Sequence, residues 1–144
     1  MKNDAIANWR QQVSRNLYEN IIPFWMTYSI DRRNGGFYGR ITNDLQVDKT
    51  APLSVVLIAR ILWTFSALFR FDKDTRHLEM ANRAYNYLSK YFSDSKYGGV
   101  YWLVAPGGEV LEDKKKIYGQ AFAIYGLSEY YAASGEKAAL EMAH

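Results

Sequence analysis

Arg60 is the residue whose type and setting point most directly to chemistry. It is the single charge in the run Leu57-Ile58-Ala59-Arg60-Ile61-Leu62-Trp63-Thr64-Phe65. Burying a guanidinium without a partner is costly, so this one must reach solvent, meet a carboxylate or hold an oxygen-rich ligand. A carboxylate partner or a neighbouring helix end is the common structural outcome. A ligand oxygen is the functional one. The other reactive types offer less. His77 lies inside an amphipathic segment and His144 is the last residue, and both read as surface or packing residues. Glycoside hydrolysis needs two carboxylates at a defined separation, one of them with a raised pKa. Here Asp44, Glu109, Glu112 and Asp113 fall in turns or at the ends of short β-like runs, without an apolar setting. There is no cysteine, so neither a disulfide framework nor a thiolate metal site is available.

The elements that must position Arg60 follow from hydrophobic periodicity. From Asp4 to about Phe24, apolar residues recur every three or four positions (Ile6, Trp9, Val13, Leu17, Ile21, Phe24), which is one face of a helix. Pro23 is expected to end or kink it. Asp31 to Gly36 is dense in turn formers, and the runs around Phe37–Ile41 and Leu45–Val47 predict a small hairpin. A second helix is predicted from Ser54, its N-cap, to about Phe71. It is apolar nearly all round and belongs in an interior. A third, half-exposed helix begins near Asp74, with Leu78, Ala81, Tyr85, Leu88 and Phe92 on one face. A fourth runs from about Ile117 to Ser134, closed by Gly135, and Glu136 to His144 starts a fifth.

Between the helices the chain repeats itself. Gly35-Gly36, Tyr38 and Val47 recur as Gly98-Gly99, Tyr101 and Val110, always 63 residues on. The glycines fit the positive φ of tight turns rather than a phosphate site, and Tyr38, Tyr101 and Trp102 read as packing of hairpins onto helix ends. Helical repeats bury their faces only against neighbours and need caps at their ends. None is visible after the fourth helix. The 144 residues are therefore expected to be a single, incomplete domain, the first part of a longer α/α structure. Alone it would expose apolar helix faces or self-associate through them.

Composition narrows the partners. The net charge is +3, and only Lys114-Lys115-Lys116 clusters basic residues, which argues against nucleic acid and reads as a solvated helix entrance. No apolar run is long enough to span a bilayer and no signal-like segment opens the chain, so a cytoplasmic protein with no membrane partner is expected. The twelve Tyr and four Trp suit both helix packing and sugar rings.

Four motifs in order are Asn34-Gly35-Gly36-Phe37-Tyr38-Gly39, Ala59-Arg60-Ile61-Leu62-Trp63-Thr64-Phe65-Ser66, Tyr97-Gly98-Gly99-Val100-Tyr101-Trp102 and the run from Tyr118 to Tyr131. Together they resemble the N-terminal portion of cellobiose 2-epimerases, within the N-acylglucosamine 2-epimerase group. The resemblance implies an all-α chain, the N-terminal part of an (α/α)6 barrel with short β-hairpins between helices. It also implies inversion at C2 of a reducing-end sugar, a disaccharide of the cellobiose or mannobiose type, without a redox cofactor or essential metal. In that chemistry one histidine removes the C2 proton to give an enediolate and a second returns a proton on the other face. A fixed cation stabilises the charge on the enediolate oxygens. The resemblance makes Arg60 that cation, a catalytic and substrate-binding residue, and makes Tyr118 and Gln120 further substrate contacts. For Tyr118 helix packing is the competing role, and for Gln120 a structural hydrogen bond. The resemblance places the catalytic histidines beyond residue 144.

Two departures bear on the site: Ile58 stands where the family pattern favours a polar residue, and Leu53 where a basic one is common. If both faced the cavity, it would be drier. Two other functions stay open at this point, an α/α-barrel glycoside hydrolase or lyase and a non-catalytic carbohydrate-binding or assembly module.

Overall fold

A computed structural model describes residues 2–144. The order is α1 (Lys2–Asn16), a π-helical segment (Leu17–Ile21), α2 (Ile22–Tyr28), β1 (Arg40–Ile41), β2 (Val47–Asp48), β3 (Leu53–Ser54), α3 (Val55–Asp72), α4 (Thr75–Tyr91), β4 (Leu103–Val104), β5 (Val110–Glu112), α5 (Ile117–Ser134) and α6 (Lys137–Ala143). The architecture is that of part of an (α/α)6 barrel: helices paired back to back, with short strands at one end.

The first helix does not stop at Pro23. Proline lacks an amide donor and its ring crowds the carbonyl four residues back. The chain widens by one residue over Leu17–Ile21, the Ile22 amide bonds the Leu17 carbonyl, and the helix resumes with Pro23 in its first turn, where a missing donor is harmless. The apolar stripe of α1 is not packed either. Ile6, Trp9 and Val13 are all exposed, as is Phe71 beside them.

α3 lies at the centre, packing chiefly on α4 and α5. Ser54 caps it as expected, its Oγ accepting from the Leu57 amide at 3.2 Å. Ile58, Ala59, Leu62 and Phe65 join Leu88, Phe92, Val104 and Leu127 in the core. α5 begins at Ile117 and closes on Gly135 at φ +76°.

The 63-residue repeat is realised bond for bond. Asp31 and Asp94, both buried, each accept from two following amides through Oδ1: Arg33 and Asn34 at 2.9 and 3.2 Å, Lys96 and Tyr97 at 2.9 and 3.1 Å. The amides of Gly35 and Gly98 return to the carbonyls of Asp31 and Asp94, and both glycines have positive φ. These are Asx turns, and the buried carboxylate organises each one. The strands differ between units. β1 pairs only with β2, whereas β4 lies between β5 and β3, so the residues that lead into α3 complete the second hairpin.

The lysine triplet is not simply solvated. Lys114 and Lys116 meet Glu112 at 3.1 and 3.3 Å, Lys115 meets Asp94 at 2.7 Å, and Lys115 and Lys116 lie over the rings of Tyr101 and Trp102. The hairpin folds back over the head of α5, which brings those groups within reach of the lysines. The hydrogen bond from Lys115, helped by the Tyr97 and Lys96 amides, holds Asp94 at about 2, below its ordinary 3.8, although desolvation opposes it. Because the folded value is the lower, this stabilisation is complete above about pH 4 and is lost as pH falls through about 2. Asp94→Asn should therefore flatten the acid limb of a far-UV circular dichroism titration in that window. It should also lower stability at neutral pH.

Candidate functional site

α3 and α5 run parallel and in close contact. A Cβ on Gly119 would lie 2.9 Å from Val55 Cγ1, and one on Gly126 would lie 2.6 Å from the carbonyl oxygen of Ala59. This approach aligns one face of each helix. Trp63 stacks on Tyr125 with ring centroids 5.0 Å apart and planes 12° from parallel. Tyr125 meets Phe122 edge-on at 6.5 Å, and Phe122 meets Tyr118 at 4.8 Å. The rings form a continuous band, and Tyr118 at its end is 61% exposed.

Arg60 lies one turn before Trp63 and borders a cleft of about 450 Å³ between α3 and the N-terminal helix. Its side chain is exposed, and no carboxylate pairs with it among the described residues. Arg70, on the same helix, holds Glu129 at 2.7 Å, and Asp72 is engaged by Tyr18 and His77 at 2.8 and 3.1 Å. The carboxylate-paired role for Arg60 is therefore absent here. The guanidinium keeps its donors free beside an aromatic face, an arrangement suited to the oxygens and ring faces of a sugar.

The profile of the N-acylglucosamine 2-epimerase (GlcNAc 2-epimerase) family matches residues 36–144. The chain belongs to this family. A cellobiose 2-epimerase of Bacteroides fragilis is 47% identical over 131 residues, covering 91% of this chain and 33% of that protein. One from Dictyoglomus turgidum is 40% identical over 134 residues, 93% of this chain and 34% of the relative. The solved cellobiose 2-epimerase of Spirochaeta thermophila superposes with a TM-score of 0.92 at 40% identity, over 97% of this chain and 34% of that one. The chain spans about a third of the length of the curated relatives it matches.

In this epimerase-family chain the motif residues fall into two groups. Arg60 and Tyr118 are open to solvent on the inner face of α3 and α5. Gln120 instead faces the second hairpin: its Oε1 accepts from the Val100 amide at 2.9 Å and its Nε2 donates to the Val100 carbonyl at 2.8 Å. Each end of the amide retains one further hydrogen-bonding position. Ile58 and Leu53 are fully buried in the core, so neither departure from the family pattern faces the cleft and neither dries it.

His77 is buried against the Phe65 ring, so it packs, as expected, but on the inner side of its half-exposed helix. Burial works to raise the Asp72 carboxyl beside it, but hydrogen bonds from the Asp74 amide, Tyr18 and His77 outweigh that and keep it below its ordinary value. The Tyr18–Asp72–His77 chain ties the π segment to the corner between α3 and α4.

Sequence reasoning singled out neither the aromatic partners Phe122 and Tyr125 nor the contact glycines. The signal was present: Gly119 and Gly126 are two glycines a heptad apart inside an otherwise strong helix, where each is unfavourable by about 1 kcal/mol unless something approaches closely.

Proposed function

We propose that this chain supplies part of the substrate site of an epimerase that inverts C2 of the reducing-end sugar in a β-1,4-linked disaccharide of the cellobiose or mannobiose type. The observation that carries the proposal is Arg60, exposed beside an aromatic face and without a carboxylate partner among the described residues, in a chain 47% identical to a cellobiose 2-epimerase. In the proposed reaction the sugar ring opens and a base takes the proton from C2. The electron pair of the C–H bond moves toward the C1 carbonyl, giving an enediolate, and an acid delivers a proton to the opposite face. Negative charge develops on the oxygens in between, and the guanidinium of Arg60 is the group to hold it. Tyr118 offers its hydroxyl to a sugar hydroxyl. Gln120 fixes the hairpin at the head of α5 and offers its remaining amide proton to substrate. Proton transfer alone inverts the carbon, so the proposal calls on no redox cofactor or metal.

Neither the base nor the acid is among these residues. His77 is closed off by burial and by Asp72, and His144 lies at the end of α6 rather than on the face that carries Arg60. The proposal therefore treats residues 1–144 as one section of a single barrel domain, with the acid–base pair on helices outside it. The test is proton exchange at C2 of cellobiose in deuterated water, followed by NMR. The 144-residue chain alone is expected to show none. Joined in one polypeptide to the two-thirds of the Bacteroides fragilis relative that it does not match, it is expected to exchange the C2 proton and form the epimer. Exchange by the chain alone, or a folded chimera without exchange, would overturn the assignment.

A further inference from the structure

Both hairpins lead into the N-terminal ends of α3 and α5, the end at which the proposed sugar site opens: Arg60 is in the second turn of α3 and Tyr118 in the first turn of α5. The second hairpin is tied to the helix that follows it. Gln120 takes both the amide and the carbonyl of Val100, at 2.9 and 2.8 Å. Lys115 holds Asp94 at 2.7 Å. The Trp102 ring packs on Gly119, where a Cβ would lie 3.2 Å from it, and Lys116 stands 4.0 Å from the ring centroid.

The internal repeat shows what the first hairpin has at the same positions. Ala59 and Ala121, Ser66 and Ser128, and the N-caps Ser54 and Lys116 are each 62 residues apart, which puts Ile58 at the position of Gln120 and Leu53 at that of Lys115. Within the hairpins the offset is 63, so Gly39 stands for Trp102 and Phe37 for Val100. All three ties are thereby replaced. Ile58 cannot hydrogen-bond the Phe37 peptide, Leu53 cannot pair with Asp31, and Gly39 has no ring to lay on α3. Asp31 turns to its own loop instead, its Oδ2 accepting from Asn34 Nδ2 at 2.6 Å. The two departures from the family pattern, Leu53 and Ile58, are thus the two positions that have lost a polar tie.

Phe37, Leu53 and Ile58 are fully buried, so the root of the first hairpin is held by apolar contact. Its arms are held differently. Thr42 bonds Asp44 and Gln46, and Thr50 bonds Asp48, all within the hairpin. A Cβ on Gly39 would collide with the Pro52 carbonyl, so the arms leave the core through a narrow neck. At the tip, Leu45 has φ +64° and is 43% exposed, where the second hairpin has Gly108 at φ +93°. A left-handed conformation strains any residue with a Cβ, and such strain is concentrated at ligand clamps and switch regions.

We propose that the first hairpin, Arg40–Asp48, is a mobile lid over the sugar entrance, with Leu45 at its tip closing on the bound sugar, and that the second hairpin is the fixed side of that entrance. This rests on the sugar site proposed above. The chemistry gives the lid its purpose: an enediolate open to water would exchange protons with solvent, so closure protects the intermediate and opening releases the product.

Hydrogen exchange read by mass spectrometry on the single-polypeptide chimera tests the lid directly. Without sugar, residues 40–48 should be protected at least about tenfold less than residues 103–111, because only the second hairpin has the bonds from Gln120 to break. Saturating cellobiose should raise protection of residues 40–48 severalfold and leave residues 103–111 unchanged. Gln120→Leu, without sugar, should lower protection of residues 103–111 at least about threefold. Leu45→Gly, which gives the tip the residue of the second hairpin, should raise KM for cellobiose by about three- to tenfold, with an unfolding midpoint no lower than that of the parent. Equal protection of the two hairpins without sugar overturns the lid, as does cellobiose that leaves residues 40–48 unchanged or Leu45→Gly with an unaltered KM. If any of these accompanies normal C2 exchange, the lid alone falls. Cellobiose-dependent protection without C2 exchange would sink the epimerase proposal and leave the lid standing.

Discussion

Arg60→Ala in the single-polypeptide chimera is expected to lower the rate of C2 exchange by about 10²–10³-fold, with little change in thermal unfolding. The rate effect is the usual loss when one donor to a developing oxyanion is removed. The stability effect is small because the side chain is exposed and no carboxylate partners it among the described residues. Nothing buried is left unpaired by its loss, the circumstance that makes most arginine deletions costly. Arg60→Lys should fall between, since lysine keeps the charge but not the planar fork that engages two oxygens at once. Exchange rates at saturating cellobiose, measured beside the unfolding midpoint, separate the two roles. A falling midpoint with an unchanged rate would make the arginine structural.

Gly126→Val should destabilise the chain by about 3 kcal/mol, the upper part of the usual range for overpacking a tight contact. Replacing a helical glycine normally gains stability, about 1 kcal/mol for alanine. Here the new Cβ would lie 2.6 Å from the Ala59 carbonyl oxygen, and the obstacle is backbone that no rotamer change can clear. α3 and α5 must part. That movement also separates the Trp63–Tyr125 stack, now at 5.0 Å, and with it the aromatic band beside Arg60. Urea denaturation reads the loss. Gly107→Ala, where a Cβ meets nothing within 4 Å, provides the control and should stay within about 0.5 kcal/mol.

Much of the local structure was legible because it depends on local physics. Periodicity, a serine N-cap and a C-terminal glycine place α3 and α5 to within a residue of where they lie. The recurrence of Gly-Gly and tyrosine at 63 residues announces two equivalent turns. Pro23 showed that the first helix must respond, though not how. The choice between ending and widening by one residue depends on whether the helix has something to pack on afterwards, and Ile22, buried beyond the π segment, supplies it. The turn carboxylates Asp31 and Asp94 read as ordinary loop residues, because their burial comes from helices distant in sequence.

The site divides along the same line. Sequence alone marked Arg60 as a charge that its own helix does not neutralise, and motif order attached Tyr118 and Gln120 to a sugar epimerase. Only the tertiary structure decided that Arg60 meets no carboxylate among the described residues while Gln120 is engaged with Val100, and that Ile58 and Leu53 lie in the core. It likewise decided that Trp63 and Tyr125 stack across two helices. The reason is physical. Hydrophobic period and capping act within a few residues of chain, so the sequence displays them directly. Which face of a helix meets a partner, and at what distance, depends on side-chain volumes from segments tens of residues apart, here two glycines on α5 that let α3 come close.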